Sequence, residues 1–82
     1  MKKLDGKIPV EAEGFEWMRD FFRRIAFTRL SDGKTVSTAF LGYGEGPFET
    51  MAFDMGEELC CYRSRTWEEA EAIHEKVVKE LS

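Results

Sequence analysis

One turn constrains this chain more than any other feature. Ser31-Asp32-Gly33-Lys34 contains an Asp-Gly pair, the strongest short-range signal for a hairpin, because glycine takes positive φ without steric cost. Before it, from Arg23 to Leu30, the pattern has period two: Ile25 and Phe27 alternate with Ala26 and Thr28, as in a strand. With Asp32-Gly33 as a two-residue loop, Ser31 pairs with Lys34, Phe27 falls opposite Thr38 and Ile25 opposite Phe40. That register gathers Ile25, Phe27, Val36 and Phe40 on one face, which is then expected to be the buried one.

Two further strands follow. About Pro47 to Met55, Met51, Phe53 and Met55 alternate; Gly56-Glu57 turns the chain; Leu59 to Arg65 returns. Short connections favour an antiparallel meander. Thr66-Trp67-Glu68-Glu69 reads as the start of a helix, with Thr66 as N-cap and Glu69 three residues on, as in a capping box. Glu68, Glu69 and Glu71 suit the positive end of the helix dipole, and Lys76 and Lys79 the negative end. Trp67, Ala70, His74, Val77 and Leu81, flanked by Ile73 and Val78, form the stripe that should lie on the sheet. Trp17, Met18, Phe21 and Phe22 recur at helical spacing and predict a short amphipathic helix within Glu11–Phe22. Residues 1–11 are polar and marked by Gly and Pro, so they are expected to be loose or extended. The reading is an α+β fold in one domain over residues 1–82: a four-stranded antiparallel meander, a short N-terminal helix, and a longer C-terminal helix packed on the sheet.

Composition narrows the function classes. The 82 residues include 12 Lys+Arg and 16 Asp+Glu, a formal net charge of −4 at pH 7, where a general nucleic-acid binder would usually be basic. Seven Phe, two Trp and two Tyr supply the apolar area that disordered chains lack. No run approaches the roughly 20 apolar residues of a membrane span. No apolar run follows Lys2-Lys3 as an export signal requires, so a cytoplasmic location is expected. Charge is unevenly spread: Arg19, Arg23, Arg24, Arg29 and Lys34 fall together, whereas from Val36 to Tyr62 there is no basic residue but Glu45, Glu49, Asp54, Glu57 and Glu58. The folded chain is thus expected to carry a basic edge and an acidic one, a dipolar surface of the kind that steers partners.

The chemistry-bearing residues are few. Cys60 and Cys61 are adjacent and should point to opposite faces of a strand, so they are read as reduced thiols; no Cys/His spacing matches a zinc site, and neither a metal nor a cofactor is expected. Gly42-Tyr43-Gly44-Glu45-Gly46-Pro47 lacks the Lys-Ser/Thr of a phosphate loop and joins strand to strand. It reads as a mobile hairpin loop or as a flap whose Tyr43 stacks on a ligand or partner. Glu49 and Arg63 lie in strands that should pair, as a cross-strand ion pair, or Arg63 with Arg65 grips a phosphate or carboxylate. His74, the only histidine, sits in the apolar stripe of the last helix, either as a satisfied structural ring or as a titratable group for a reaction. A cysteine nucleophile paired with His74 is geometrically conceivable because the helix packs on that sheet.

Three blocks in order carry a resemblance: Val36-Ser37-Thr38-Ala39-Phe40-Leu41-Gly42, then Phe48-Glu49-Thr50-Met51-Ala52-Phe53, then Arg63 with Thr66-Trp67-Glu68-Glu69-Ala70 and His74, preceded by Trp17 and Phe21. Over about residues 16–80 the chain resembles a group of small proteins of tailed bacteriophages and prophages that has no assigned function. Members of that group carry a longer loop after the Leu-Gly, with an Asp-His pair and a Pro-Pro; here the loop is only Tyr43-Gly44-Glu45-Gly46-Pro47, so Glu49, Arg63, Thr66 and His74 alone carry over. The resemblance implies a phage-type accessory protein and supplies no reaction.

The functional expectation is therefore a non-catalytic binding protein acting on a host protein, in host takeover or defence antagonism, with Tyr43, Glu49, Arg63, Arg65 and His74 as binding candidates. The alternatives are a sponge for a small anionic, nucleotide-like ligand in an oligomeric pocket, and a small hydrolase using His74. A third class is a structural protein of the virion. A chain this short often completes its core by self-association, and a sheet covered by one helix leaves a face free for a second subunit, so a homo-oligomer belongs to the expectation.

Overall fold

The computed structural model describes residues 1–82. Six strands and one helix follow in order: β1 (Lys2–Asp5), β2 (Ile8–Glu11), β3 (Arg23–Arg29), β4 (Thr35–Phe40), β5 (Phe48–Asp54), β6 (Glu57–Ser64) and α1 (Trp67–Leu81). β3 to β6 form the expected antiparallel meander in sequence order, and β1–β2 form a separate two-stranded sheet.

The β3–β4 register differs from expectation by one residue. The loop holds three residues, Ser31-Asp32-Gly33: the Leu30 amide donates to the Lys34 carbonyl (2.8 Å), the Gly33 amide donates to the Leu30 carbonyl (3.0 Å), and Gly33 takes φ +93°. A turn followed by a left-handed residue is the commonest alternative to the two-residue loop. Phe27 therefore stands opposite Ser37, not Thr38, with a bulge between Arg24 and Ala26. Because side chains alternate, the slip reverses the strand: Thr28 faces the helix, and Phe27 turns outward, 46% exposed. The β5–β6 turn is Met55-Gly56, both at positive φ (52° and 83°), as a two-residue hairpin requires.

The N-terminal third departs further. In place of a short amphipathic helix there is one 3-10 turn, Glu16–Arg19. Gly14 (φ +57°) and Phe22 (φ +57°) bend the chain out of the helical region on either side, and so few residues between breaks cannot offset the cost of nucleating a helix. Residues 2–11 are extended, but paired with each other. Two backbone amides of the hairpin fasten it to the rest, beside the Lys3–Glu16 ion pair and the burial of Leu4 in the core. The Leu4 amide donates to Asp20 Oδ2 (2.9 Å), and the Lys2 amide donates to the Gly42 carbonyl (2.6 Å). A Cβ on Gly42 would stand 2.6 Å from the Lys2 carbonyl oxygen, so glycine is required there. Burial pushes the Asp20 carboxyl up, but the Leu4 amide and the Arg19 and Arg23 guanidinium groups outweigh it and hold the pKa below the ordinary aspartate value.

α1 begins as expected: Thr66 is extended, and its Oγ1 accepts from the Glu69 amide (3.0 Å). Its stripe lies on one face of the meander, burying Ala70, His74 and Val77. The core has two apolar halves. Leu4, Phe40, Phe48 and Ala70 form one, joined by Ile25 and Trp67; Val36, Ala52 and Val77 form the other, joined by Cys60, Ile73, Val78 and Leu81. Between them runs the Thr38–Thr50 pair of β4 and β5, so a row of hydroxyls crosses the middle of the core.

Candidate interaction surfaces

The expected site residues fall into two separate places. His74 lies in the hydroxyl row, 6% exposed. Its Nδ1 is 2.8 Å from Thr38 Oγ1 and its Nε2 is 2.9 Å from Thr28 Oγ1, and Thr38 Oγ1 lies 2.8 Å from Thr50 Oγ1. A neutral imidazole has one donor and one acceptor nitrogen, and hydroxyls match either. Burial pushes the ring's pKa below the ordinary histidine value, with the neighbouring Glu75 charge opposing weakly. Both nitrogens are thus held by threonines, with no thiol or carboxylate among their hydrogen-bond partners. The arrangement suits a fixed, neutral ring that satisfies two hydroxyls, the half-buried one of Thr28 and the buried one of Thr38.

Tyr43, Glu49, Arg63 and Arg65 collect elsewhere, around the β4–β5 loop and β6. Arg63 Nε donates to the Gly46 carbonyl (2.6 Å) and Nη2 to the Tyr43 carbonyl (2.7 Å). Its guanidinium lies over the Tyr43 ring, 4.9 Å from the centroid, and Nη1 is 4.0 Å from Glu49 Oε2. Arg63 is therefore the clamp that shapes the loop. Arg65 Nη2 is 3.6 Å from Glu45 Oε2, both exposed, beside a shallow polar depression that also includes Lys2 and Gly44. The Cys61 thiol donates to Glu49 Oε2 (3.4 Å). Partial burial, then that carboxylate, push the thiol up to about 11, which leaves almost no thiolate at neutral pH. The two cysteines occupy opposite faces as expected: Cys60 packs under α1 and Cys61 pairs with Met51 on the uncovered face.

Two further surfaces were not legible as sites. The first is the free edge of β6. With strand order β3-β4-β5-β6, β6 has a single neighbour, and its eight residues are exposed except Cys60 and Ser64. Leu59 and Tyr62 are 44% and 46% exposed, and the strand holds neither Lys nor Pro, the residues that usually blunt an edge. Beside it a groove of about 240 Å³ runs between Tyr62 and the α1 residues Ile73, Lys76, Val77 and Glu80. The second is the uncovered face of the meander, where a depression of about 310 Å³ is lined by Phe22, Arg24, Phe27, Ser37, Met51 and Phe53 among others. The missed signal is the loop count: a three-residue Ser-Asp-Gly turn places Phe27 on this face.

No group of three or more His, Cys, Asp or Glu side chains is placed to hold a metal ion, and no helix is long and apolar enough to cross a membrane. Comparison with family models, curated proteins and solved structures finds no match.

Proposed function

We propose that this chain is a non-catalytic binding protein that captures an extended segment of another protein along β6. The phage resemblance makes that partner a host protein, and the activity an accessory one of takeover or defence antagonism in the host cytoplasm. The observation that carries the reading is the open eight-residue β6 edge with an apolar-walled groove beside it. A segment added to such an edge gains main-chain hydrogen bonds for affinity, and alternate side chains dip into flanking pockets for specificity. Here Tyr62, Ile73 and Val77 wall the groove, with Lys76 and Glu80 at its rim. Tyr43, 44% exposed and steadied by Arg63, and Arg65 stand at the Ser64 end of the strand, where they select what the segment carries there.

A sponge for a small anion ranks second. The depression holding Lys2 and Arg65 favours it, but Arg65 already faces Glu45 and Arg63 is committed to the loop. Hydrolysis through His74 ranks third, since both ring nitrogens are engaged by threonines inside the core.

The test joins affinity capture from bacterial lysate to amide hydrogen exchange on the recovered complex. The expected result is slowed exchange along Glu57–Ser64, and loss of the complex in Leu59→Lys and Tyr62→Ala but not in His74→Gln. Protection confined to another surface, or capture indifferent to both β6 variants, refutes the proposal.

A further inference from the structure

The four-stranded sheet has two free edges, β3 and β6, and their charges are arranged differently. β3 reads Arg23-Arg24-Ile25-Ala26-Phe27-Thr28-Arg29, with arginine at both ends. β6 reads Glu57-Glu58-Leu59-Cys60-Cys61-Tyr62-Arg63-Ser64, acidic where it begins and basic where it finishes, with Arg65 just beyond. We infer that β6 pairs antiparallel with β6 of a second copy about a two-fold axis perpendicular to the sheet, which joins two four-stranded sheets into one of eight. This rests on β6 being a pairing edge, as proposed above, and makes the second copy its occupant when no other protein holds it.

Charge decides among the ways in which two copies meet edge to edge. Two β3 strands bring arginine against arginine whichever way they run. β3 against β6 has one attraction, at Glu57 and Glu58, and one repulsion, at Arg63, in either direction. Two parallel β6 strands set Glu58 beside Glu58 and Arg63 beside Arg63. Only the antiparallel β6 pair is favourable at both ends, because reversal lays the acidic start of each strand along the basic finish of the other.

The faces of the strand fix the register. Glu58, Cys61 and Arg63 stand opposite Phe53, Met51 and Glu49, on the side away from α1. Cys60 and Tyr62 stand opposite the buried Ala52 and Thr50, on the α1 side, and Leu59 is the extra residue of a bulge. Residues paired across strands share a face, so the axis passes at a residue of β6. Centred on Cys61, it sets Glu58 directly opposite the second copy's Arg63, twice over by symmetry. Neither Glu57 nor Glu58 has an ion-pair partner within the chain. Nε and Nη2 of Arg63 hold the loop, which leaves Nη1, 4.0 Å from Glu49, for a second carboxylate. Tyr62 comes opposite the second copy's Cys60, next to its Leu59, so the two exposed apolar side chains of the edge are covered together. The main-chain groups that an open edge leaves unpaired are satisfied as well. Self-pairing and capture of another protein's segment then compete for the same amides, and dilution or a tighter segment opens the edge.

Sedimentation velocity and amide hydrogen exchange on the full chain, each over about 1 to 100 µM, the range that separates weak from stable association, test this. The expected species at the upper end has twice the 9.5 kDa chain mass. Amides of Glu57–Ser64 should exchange more slowly there than at the lower end, and those of β3 equally at both. Glu58→Arg should weaken association at least about tenfold, as reversal of a close charge pair does, with unchanged far-ultraviolet circular dichroism. Phe27→Asp, away from the edge, should leave it within about threefold. A monomer throughout the range, β6 exchange that ignores concentration, or a dimer indifferent to Glu58→Arg would each overturn the inference. A monomer that still captures a lysate protein along β6 sinks self-pairing alone, and a β6 dimer from which no lysate protein is captured at any dilution sinks the proposed function alone.

Discussion

The two faces of the meander are built from the same four strands, yet they obey different rules. Under α1, large and small residues interlock: Phe40 meets Phe48 edge-on at 5.2 Å and Phe48 meets Trp67 at 6.2 Å, the Thr38 and Thr50 hydroxyls of the central row are engaged, and Ser64 Oγ, opposite Phe48, is buried without a partner. On the other face apolar and charged residues are mixed: Phe27 stands half-exposed opposite Ser37, with the Arg24 guanidinium over its ring. The difference teaches that apolar alternation marks a strand without saying which side is the interior. Only the covering element decides that, and one helix covers one face.

Substitutions sharpen this contrast. The largest effect belongs to Phe48→Ala, which removes a fully buried ring from the covered face; the expected loss is about 3–5 kcal/mol, read from urea denaturation, and a loss below that range would mean the face is loosely packed. Next is His74→Ala. It leaves Thr28 and Thr38 without their ring partner, at a cost of about 1–3 kcal/mol.

The same ring sets a pH dependence. Its folded-state pKa lies below the ordinary value because of burial, so the unfolded chain binds the proton first. Stability is full above about pH 6.5, the ordinary histidine value, and declines as pH falls below it. His74→Gln should flatten that decline; a slope unchanged between pH 6.5 and 5 would place its origin in another group.

Smaller effects are expected on the opposite face and at its border. Phe27→Ser, measured at a concentration where the chain is monomeric, should change unfolding stability by no more than about 1 kcal/mol; a change matching that of Phe48→Ala would erase the distinction between the faces. Ser64→Ala removes a buried, unpartnered hydroxyl, and should be neutral or stabilising by up to about 1 kcal/mol, seen as a small rise in melting temperature.

Much of the architecture was written in local patterns. The meander, the Thr66 cap and the stripe from Trp67 to Leu81 depend on spacing over a few residues, and each stands where expected. What failed depended on choices between near-equal local solutions. Asp32-Gly33 fits both a two-residue and a three-residue loop, and the choice moved Phe27 and Thr28 to opposite sides. The aromatic run at Trp17–Phe22 has helical spacing, but Gly14 and the left-handed Phe22 leave room for one 3-10 turn. The hairpin β1–β2 had no alternating apolar pattern to announce it; it is stabilised by distant groups, Asp20 and Gly42. Of the candidate residues, the cross-strand pairing of Glu49 with Arg63 was legible and stands in the register, while the hydrogen bonds of Arg63 go to backbone carbonyls, which no side-chain pattern reveals.

The clamp formed by Arg63 has a further consequence. The guanidinium grasps the loop through the carbonyls of Tyr43 and Gly46, groups that any amino acid would present. The course of that loop is thus set from the neighbouring strand, and its side chains are released from the task of shaping it. Tyr43 and Glu45 can be exchanged by drift or by design while the path of the chain is kept, which makes this short segment a natural place for diversification of what the molecule recognises.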